Sequence, residues 1–439
     1  MAGARTTRGR AGTRMAAGRW CAPDWGRRSA PPPPLTAHQR PRTPAPWRQG
    51  LQTPAPPKPL PPKRMPPTMA ADPNPLPATL DEITPAWLTA ALRHGGHEVP
   101  AVAELVLEPI GGIVGATGQI GRLRVTWSGP CELGSSFVVK APNTDEFSRL
   151  ANEVMRFYER EAGFYREIAH RIDLPHPACY VNLYDPARDH NILVLEDVAP
   201  AVDGDCLDGV DFDTARRLVE MLGVLHGHFW MDESLVADWL VTWDREAYWS
   251  NAWIGQTAWT AFTEAEPHFF PDDVARVVAE RYLWDTRAFC ERIDRRPWTY
   301  CHGDYQLDNI LFREDGPVIV DWQMGLRNCP GNDVAWFLAT SCRDHVDRER
   351  ELLDAYRASL AAAGGPAWSH DELLEDLCWG LVTWVGGQPV TMVADQSHHG
   401  EHAERMRRRF RHFGEGTRDA AVRWGLAEVI EATWDDHAP

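Results

Sequence analysis

The stretch His302-Gly303-Asp304-Tyr305-Gln306-Leu307-Asp308-Asn309-Ile310-Leu311-Phe312, followed by Val318-Ile319-Val320-Asp321-Trp322-Gln323, decides how this chain reads. Asp304 and Asn309 lie five residues apart on a loop that enters a short strand. A second short strand delivers Asp321 twelve residues after Asn309. Phosphoryl transfer asks little covalent work of a protein and much positioning. It needs a carboxylate that orients the acceptor hydroxyl and takes its proton, and oxygen ligands for a magnesium ion bridging the phosphates. Asp304 suits the first task. Asn309 and Asp321 suit the second, because magnesium prefers hard oxygen donors and takes few of them from protein.

Upstream of this stretch the texture changes twice. Residues 84–95 read as a helix with Trp87, Leu88, Ala91 and Leu92 on one face and a Gly95-Gly96 stop. From 101 to 140 the pattern is strand, glycine loop, strand, turn, strand, an antiparallel meander ending in Phe137-Val138-Val139-Lys140. Residues 148–171 return to helical spacing, and 180–184 and 191–195 read as two more strands. The part after about residue 211 is helical apart from strand signals at 310–312 and 318–321. The expected fold is α+β, a small β-rich lobe followed by a larger α-rich one. The expected boundaries are a tail at 1–68, a helical extension at 69–100, the first lobe at 101–196 and the second at 197–435.

The motif His302-Gly303-Asp304 with Asn309, and the triplet Asp321-Trp322-Gln323, resemble the "HGD….N" and DFG-like elements of the aminoglycoside-phosphotransferase and choline-kinase-like branch of the protein-kinase-like fold. Within that branch the chain looks most like the ecdysteroid-kinase-like (CHK-type) phosphotransferases, over about residues 100–430. The resemblance implies a bilobal fold and transfer of the γ-phosphate of ATP, with Mg2+, to a hydroxyl of a small molecule. It implies Asp304 as the catalytic base and Asn309 and Asp321 as metal ligands. It also places at Lys140 the lysine that touches the α- and β-phosphates, the other reading being a solvated strand-end lysine. The lysine's partner is expected at Glu161, in a helix resembling the family's "E..FY" element, with Glu153 and Glu159 as rivals.

Gly112, Gly115, Gly118 and Gly121 are candidates for close backbone approach to the triphosphate, although they do not form the G-x-G-x-x-G of protein kinases. Leu195-Glu196-Asp197-Val198 resembles the hinge whose backbone would bond adenine. Asp333 resembles a family element expected to cap its helix and hold the catalytic loop. His302 and His226 read as architectural. With Asp333 only twelve positions after Asp321, the chain has no room for the long activation segment of a protein kinase, so a small acceptor is expected rather than a peptide. The aromatic run from Phe229 to Phe270 either walls that acceptor's site or fills a helical core. The competing function is a kinase-shaped protein that binds nucleotide or metabolite without turnover.

Composition narrows the remaining classes. The 439 residues carry 45 basic and 62 acidic side chains, a net charge of −17, with 44% hydrophobic residues. Residues 1–68 hold 13 Lys and Arg and one acid, for +12, and the rest of the chain is at −29. An acidic body argues against a nucleic-acid groove and is mildly compatible with a cationic ligand, though solubility explains it as well. No run is long and apolar enough to span a bilayer. Nine cysteines dispersed singly make neither a disulfide framework nor a zinc site, so a reducing compartment, the cytoplasm, is expected. Sixteen of the 36 prolines fall in 1–68, which cannot build a helix or ladder. That tail is expected to stay outside the fold, with translation beginning at Met69. Oligomeric state is not readable from these patterns.

Overall fold

The structure, a computed structural model, describes residues 76–110, 118–143, 146–243, 251–394 and 401–437. The 1–68 tail therefore lies outside the described residues, as do Gly112, Gly115, Tyr248 and Trp249. In chain order the first lobe contains α1 (Pro85–His94), β1 (Val102–Pro109), β2 (Gly118–Trp127), β3 (Ser136–Pro142), α2 (Glu146–Met155), α3 (Phe157–Gly163), β4 (Cys179–Asp185) and β5 (His190–Glu196). The strands form one antiparallel sheet in the order β1-β2-β3-β5-β4.

Alternation along β3 sends Phe137, Val139 and Ala141 into a core shared with Leu123 and Val125 of β2 and with Trp87, Leu88 and Leu92 of α1. The same alternation turns Lys140 to the opposite face, because successive strand side chains point to opposite sides. Thr84 caps α1, its Oγ1 accepting from the Trp87 N–H at 3.2 Å. The segment before the sheet is thus part of its packing.

The helical run expected at 148–171 is broken. Arg156 sits in the left-handed region (φ 55°) between α2 and α3, and α3 continues into a π-helical turn at Phe164–Ile168 and a 3-10 turn at Ala169–Arg171. The Asn152 side chain accepts from the Tyr158 N–H at 3.2 Å across this break. Helical periodicity is preserved on either side of a one-residue interruption, so spacing alone does not reveal it.

The second lobe follows with β6 (Val202–Asp203), α4 (Phe212–His228), α5 (Ala252–Ala265), α6 (Asp272–Val277), α7 (Thr286–Ile293), β7 (Thr299–Cys301), β8 (Ile310–Arg313), β9 (Gly316–Ile319), β10 (Leu326–Asn328), α8 (Gly331–Ser341), α9 (Glu349–Ala362), α10 (His370–Ala394), α11 (Glu401–Arg423) and α12 (Leu426–Thr433). β8 and β9 pair antiparallel with β6 on the outer side, and β10 pairs with β7. The strand expected at 318–321 is shifted: β9 ends at Ile319, and Asp321 lies past it in a left-handed conformation (φ 64°). α8 is buried along its whole length, and α4 packs against α9 and α8 against α10.

Most of the aromatic run is core. Phe229, Trp239, Trp259, Phe262, Phe269 and Phe270 are all buried, whereas Trp253 is 59% exposed. The eight described cysteines are free thiols. No described helix is long and apolar enough to cross a membrane.

One buried ion pair fastens the second lobe together. Arg296 is 4% exposed, donates to Asp376 at 3.0 Å and to Glu375 at 2.8 Å, and lies over the Trp379 ring. Asp376 in turn accepts from the Gly331 N–H at 2.7 Å, where α8 begins. Burial raises the Asp376 carboxyl above its ordinary value even with Arg296 beside it. Arg296→Met leaves that carboxylate buried without its cation, and about 3–5 kcal/mol of stability should be lost. The check is the urea midpoint, which should fall; an unchanged midpoint would show that the pair contributes nothing.

Candidate active site

The loop after β7 carries the site. Gly303 has φ 83°, and a Cβ there would collide with the Met324 carbonyl, so only glycine lets the loop lie against the 322–325 turn. Asp333 holds the loop from beneath: its Oδ2 accepts from the His302 N–H at 2.6 Å and its Oδ1 from the Gly303 N–H at 2.9 Å. It does so from within the first turn of α8. Pro330 occupies the N-cap position, so the expected capping role is wrong while the loop-holding role is what its hydrogen bonds perform. Burial opposes a charge on Asp333, but the His226 contact and the loop N–H groups hold its carboxyl below the usual range. His226, fully buried, also bonds Tyr356 Oη at 3.0 Å. His302 bonds the Val320 carbonyl through Nε2 at 3.0 Å and accepts the Asp304 N–H through Nδ1 at 3.2 Å. Both histidines are architectural.

Asp304 receives three hydrogen bonds. Gln306 Nε2 and Trp336 Nε1 donate to Oδ1 at 3.0 and 2.8 Å, and Asn309 Nδ2 donates to Oδ2 at 2.9 Å. Asn309 Nδ2 also bonds the Asp304 carbonyl at 2.8 Å, so both bonds to Asp304 use the NH2 of the Asn309 amide and keep its oxygen as an acceptor. Burial pushes the Asp304 carboxyl up to about 7, Asp321 adding to the rise, while Arg409 and the Trp336 and Asn309 hydrogen bonds oppose it. A carboxyl so raised accepts a proton far more readily near neutrality than an exposed aspartate does.

Opposite the loop, Lys140 Nζ donates to Glu161 Oε1 at 2.6 Å and to Asp321 Oδ1 at 2.8 Å. Burial disfavours charge on Lys140, but the two carboxylates outweigh it and hold the ammonium above its ordinary value. Burial raises the Glu161 carboxyl, with Lys140 pulling it the other way. The two rival glutamates are elsewhere: Glu159 pairs with Arg156, and Glu153 is exposed. Asp321 Oδ2 accepts from Gln323 Nε2 at 3.1 Å. Trp322, fully buried, stacks on Phe164 with 4.0 Å between centroids and 4° between planes. Arg160, one residue before Glu161, donates to the Gly325 carbonyl at 2.8 Å and to the Met324 carbonyl. These contacts tie the helix of Glu161 to the turn of Asp321.

The remaining expected residues take distinct positions. Gly118 and Gly121 lie on β2 opposite Pro142 and Val139, and the missing side chain of Gly121 makes room for Leu107 and Leu80 on the core face. At the hinge the side chains are engaged within the protein. Glu196 pairs with Arg313 at 3.2 Å, Asp197 pairs with Arg122 at 2.8 Å, and Val198 is buried. Sequence reading missed Arg160 and Trp336, and with Trp336 the ring of Trp384 stacked on it (3.9 Å, 11°) and Phe413 against its edge (5.0 Å). A tryptophan inside an apolar helix has no local signature, and its hydrogen bond to Asp304 spans 32 residues of chain.

Trp336→Phe removes a hydrogen bond that lowers the Asp304 pKa. Were Asp304 the base, it would be lost as pH falls through that pKa, so kcat/KM should rise with pH through about 7 in the parent. In the variant this limb should move to higher pH, by up to about one unit. An unmoved limb would show that the indole does not act on the base.

A family model described as the phosphotransferase enzyme family matches residues 124–374. No curated protein matches the chain in sequence. Among solved structures it resembles a choline/ethanolamine kinase family protein from Mesorhizobium loti, at 16% identity and a TM-score of 0.40, covering 74% of this chain and 92% of that one. It also resembles a choline kinase from Streptococcus pneumoniae (13%, TM-score 0.42, 72% and 95%) and an ethanolamine kinase from Plasmodium vivax (12%, TM-score 0.44, 75% and 83%). Likeness at this level does not bear on the acceptor. The narrower resemblance to ecdysteroid-kinase-like enzymes rests on the sequence motifs alone.

Proposed function

This chain belongs to the phosphotransferase enzyme family, and from that premise we propose that it moves the γ-phosphoryl group of ATP to a hydroxyl of a small molecule, with Asp304 as the base. The observation that carries the reading is that Lys140, Glu161 and Asp321 form one cluster and Asp304 and Asn309 a second, near enough for Asp321 to raise the Asp304 carboxyl, although they come from four separate segments of the chain. In this reading the acceptor oxygen attacks the γ-phosphorus as the bond to the β–γ bridging oxygen breaks, and ADP departs. The acceptor's proton goes to an oxygen of Asp304. Lys140, held charged by its two carboxylates, binds the α- and β-phosphates. Gly118 and Gly121 lie along the triphosphate, and the backbone of Glu196, Asp197 and Val198 faces adenine.

The donor set fits a hard divalent cation: the Asp321 carboxylate and the Asn309 amide oxygen are the kinds of ligand magnesium accepts. Mg2+ held there would neutralise charge on the phosphates. The hydrogen bonds of Asn309 to Asp304 and of Gln323 to Asp321 fix where those ligand oxygens point. The full complement of these residues favours an enzyme over a silent binding protein.

The test incubates residues 69–439 with γ-labelled ATP, magnesium and a small-molecule extract of the source cells, with Asp304→Asn as control. The expected result is a labelled small molecule absent from the control. Label appearing equally with both proteins would refute the assignment of Asp304, and label in protein instead of a small molecule would refute the acceptor class.

A further inference from the structure

The charge of the body as a whole is compatible with a cationic acceptor, but the surroundings of Asp304 are different. Beyond the Trp336 indole that bonds Asp304 stands Phe413, and over the Phe413 ring lies the guanidinium of Arg409, its Cζ 5.2 Å from the centroid. Arg409 Nε is 3.4 Å from Oδ1 of Asp308, which lies within the catalytic loop between Asp304 and Asn309. This is an ion pair without an aligned hydrogen bond, for Nε is sealed from solvent and has no hydrogen-bond partner among the described residues.

Other arginines of α11 are engaged differently. Arg411 bonds Glu266 at 2.6 Å, Arg418 bonds Asp419 at 2.7 Å, Arg423 pairs with Glu349, and Arg405 pairs with Asp205. Arg409 is only 21% exposed, beside the proposed base, and makes no such hydrogen-bonded pair. A guanidinium presents five N–H donors in a fixed fork that matches carboxylate and phosphate oxygens. Of these donors Nε is the one left enclosed and unmatched, which is unfavourable.

We propose that Arg409 binds an anionic group on the acceptor, so that the substrate class is a hydroxylated carboxylate or phosphate monoester. The inference rests on Asp304 facing the acceptor. The acceptor's anion would take the guanidinium fork while its hydroxyl reaches Asp304, and the apolar part of the molecule would lie on the half-buried ring of Trp384.

The test fills the nucleotide site with magnesium and a non-hydrolysable ATP analogue, so that added anions cannot bind there. Glycerate and glycerol 3-phosphate are then titrated against glycerol and choline, with binding read by thermal shift and calorimetry. The anionic probes should bind in preference to the other two. Arg409→Gln should weaken them about 10- to 100-fold, Arg409→Lys should recover part of the loss, and Arg407→Gln, on the opposite side of the helix and paired with Glu404, should change nothing. Equal binding of all four probes, a preference for choline, or binding of none would overturn the proposal. Anion binding that survives Arg409→Gln while acceptor-free ATP hydrolysis falls would overturn it too, since the guanidinium would then serve the transferred phosphoryl group. The readout is binding, so a parent protein that never turned over ATP would refute the kinase reading and leave this result standing.

Discussion

Replacing Asp304 by Asn should lower turnover about 10²- to 10⁴-fold, the range lost with a positioned general base, while nucleotide binding stays nearly intact. The asymmetry follows from where the contacts lie. Lys140, Glu161 and Asp321 form their own cluster, and no hydrogen bond or ion pair joins Asp304 to it. The asparagine is nearly isosteric, so Gln306 and Trp336 can still donate to its one remaining oxygen. Its NH2 must then face the NH2 of Asn309, which at present donates to Oδ2 at 2.9 Å. Part of the loss should therefore be displacement of Asn309. Rapid-quench measurement of the chemical step, with calorimetry for the nucleotide, separates the two quantities. A variant that turned over at the parent rate would exclude Asp304 as the base.

Asp321→Ala should abolish magnesium-dependent nucleotide binding, with a loss greater than the roughly 10- to 100-fold that follows removal of a group that merely supports a metal ligand. Two functions disappear together. The carboxylate is the charged member of the proposed ligand pair, and its Oδ1 is one of the two anchors of Lys140, at 2.8 Å. Glu161 still holds the ammonium at 2.6 Å, so the lysine should remain charged and the fold intact. Titration of ATP with and without magnesium makes the distinction. The parent should bind far more tightly with the metal, and the variant should show no difference. Metal-dependent binding of parental strength in Asp321→Ala would remove Asp321 from the ligand set.

Much of the machinery was legible because it is local in the chain. Asp304, Asn309 and Asp321 fall within 18 residues, on a loop and two short strands whose polar residues interrupt apolar runs at fixed offsets. Lys140 could be placed because it ends the apolar run Phe137-Val138-Val139, where the resembled family keeps its lysine; the alternation seen along β3 then decides which face it leaves from. Glu161 was preferred for its likeness to the family's "E..FY" element, with Glu153 and Glu159 still rivals, and only the fold, broken at Arg156, brings Glu161 to Lys140. Three-residue strands such as β7 and β10 escaped notice, being too short to show a period of two. The capping role given to Asp333 failed for a related reason. Helix-start chemistry reads the same whether the acidic side chain bonds its own helix or, as here, a loop 30 residues earlier.

The sequence by itself determined the two-lobe α+β plan and the family, and it nominated the residues proposed for phosphoryl transfer. Those are encoded by short-range periodicity and by residue types at fixed spacing along one segment. Tertiary structure alone decided which aromatic rings border the base and which of the many arginines of α11 stands beside it. Trp336, Trp384, Phe413 and Arg409 come from three helices, and their meeting depends on how those helices pack. Packing is a sum of many weak contacts between residues distant in the chain, and it leaves no mark on the spacing of any one segment.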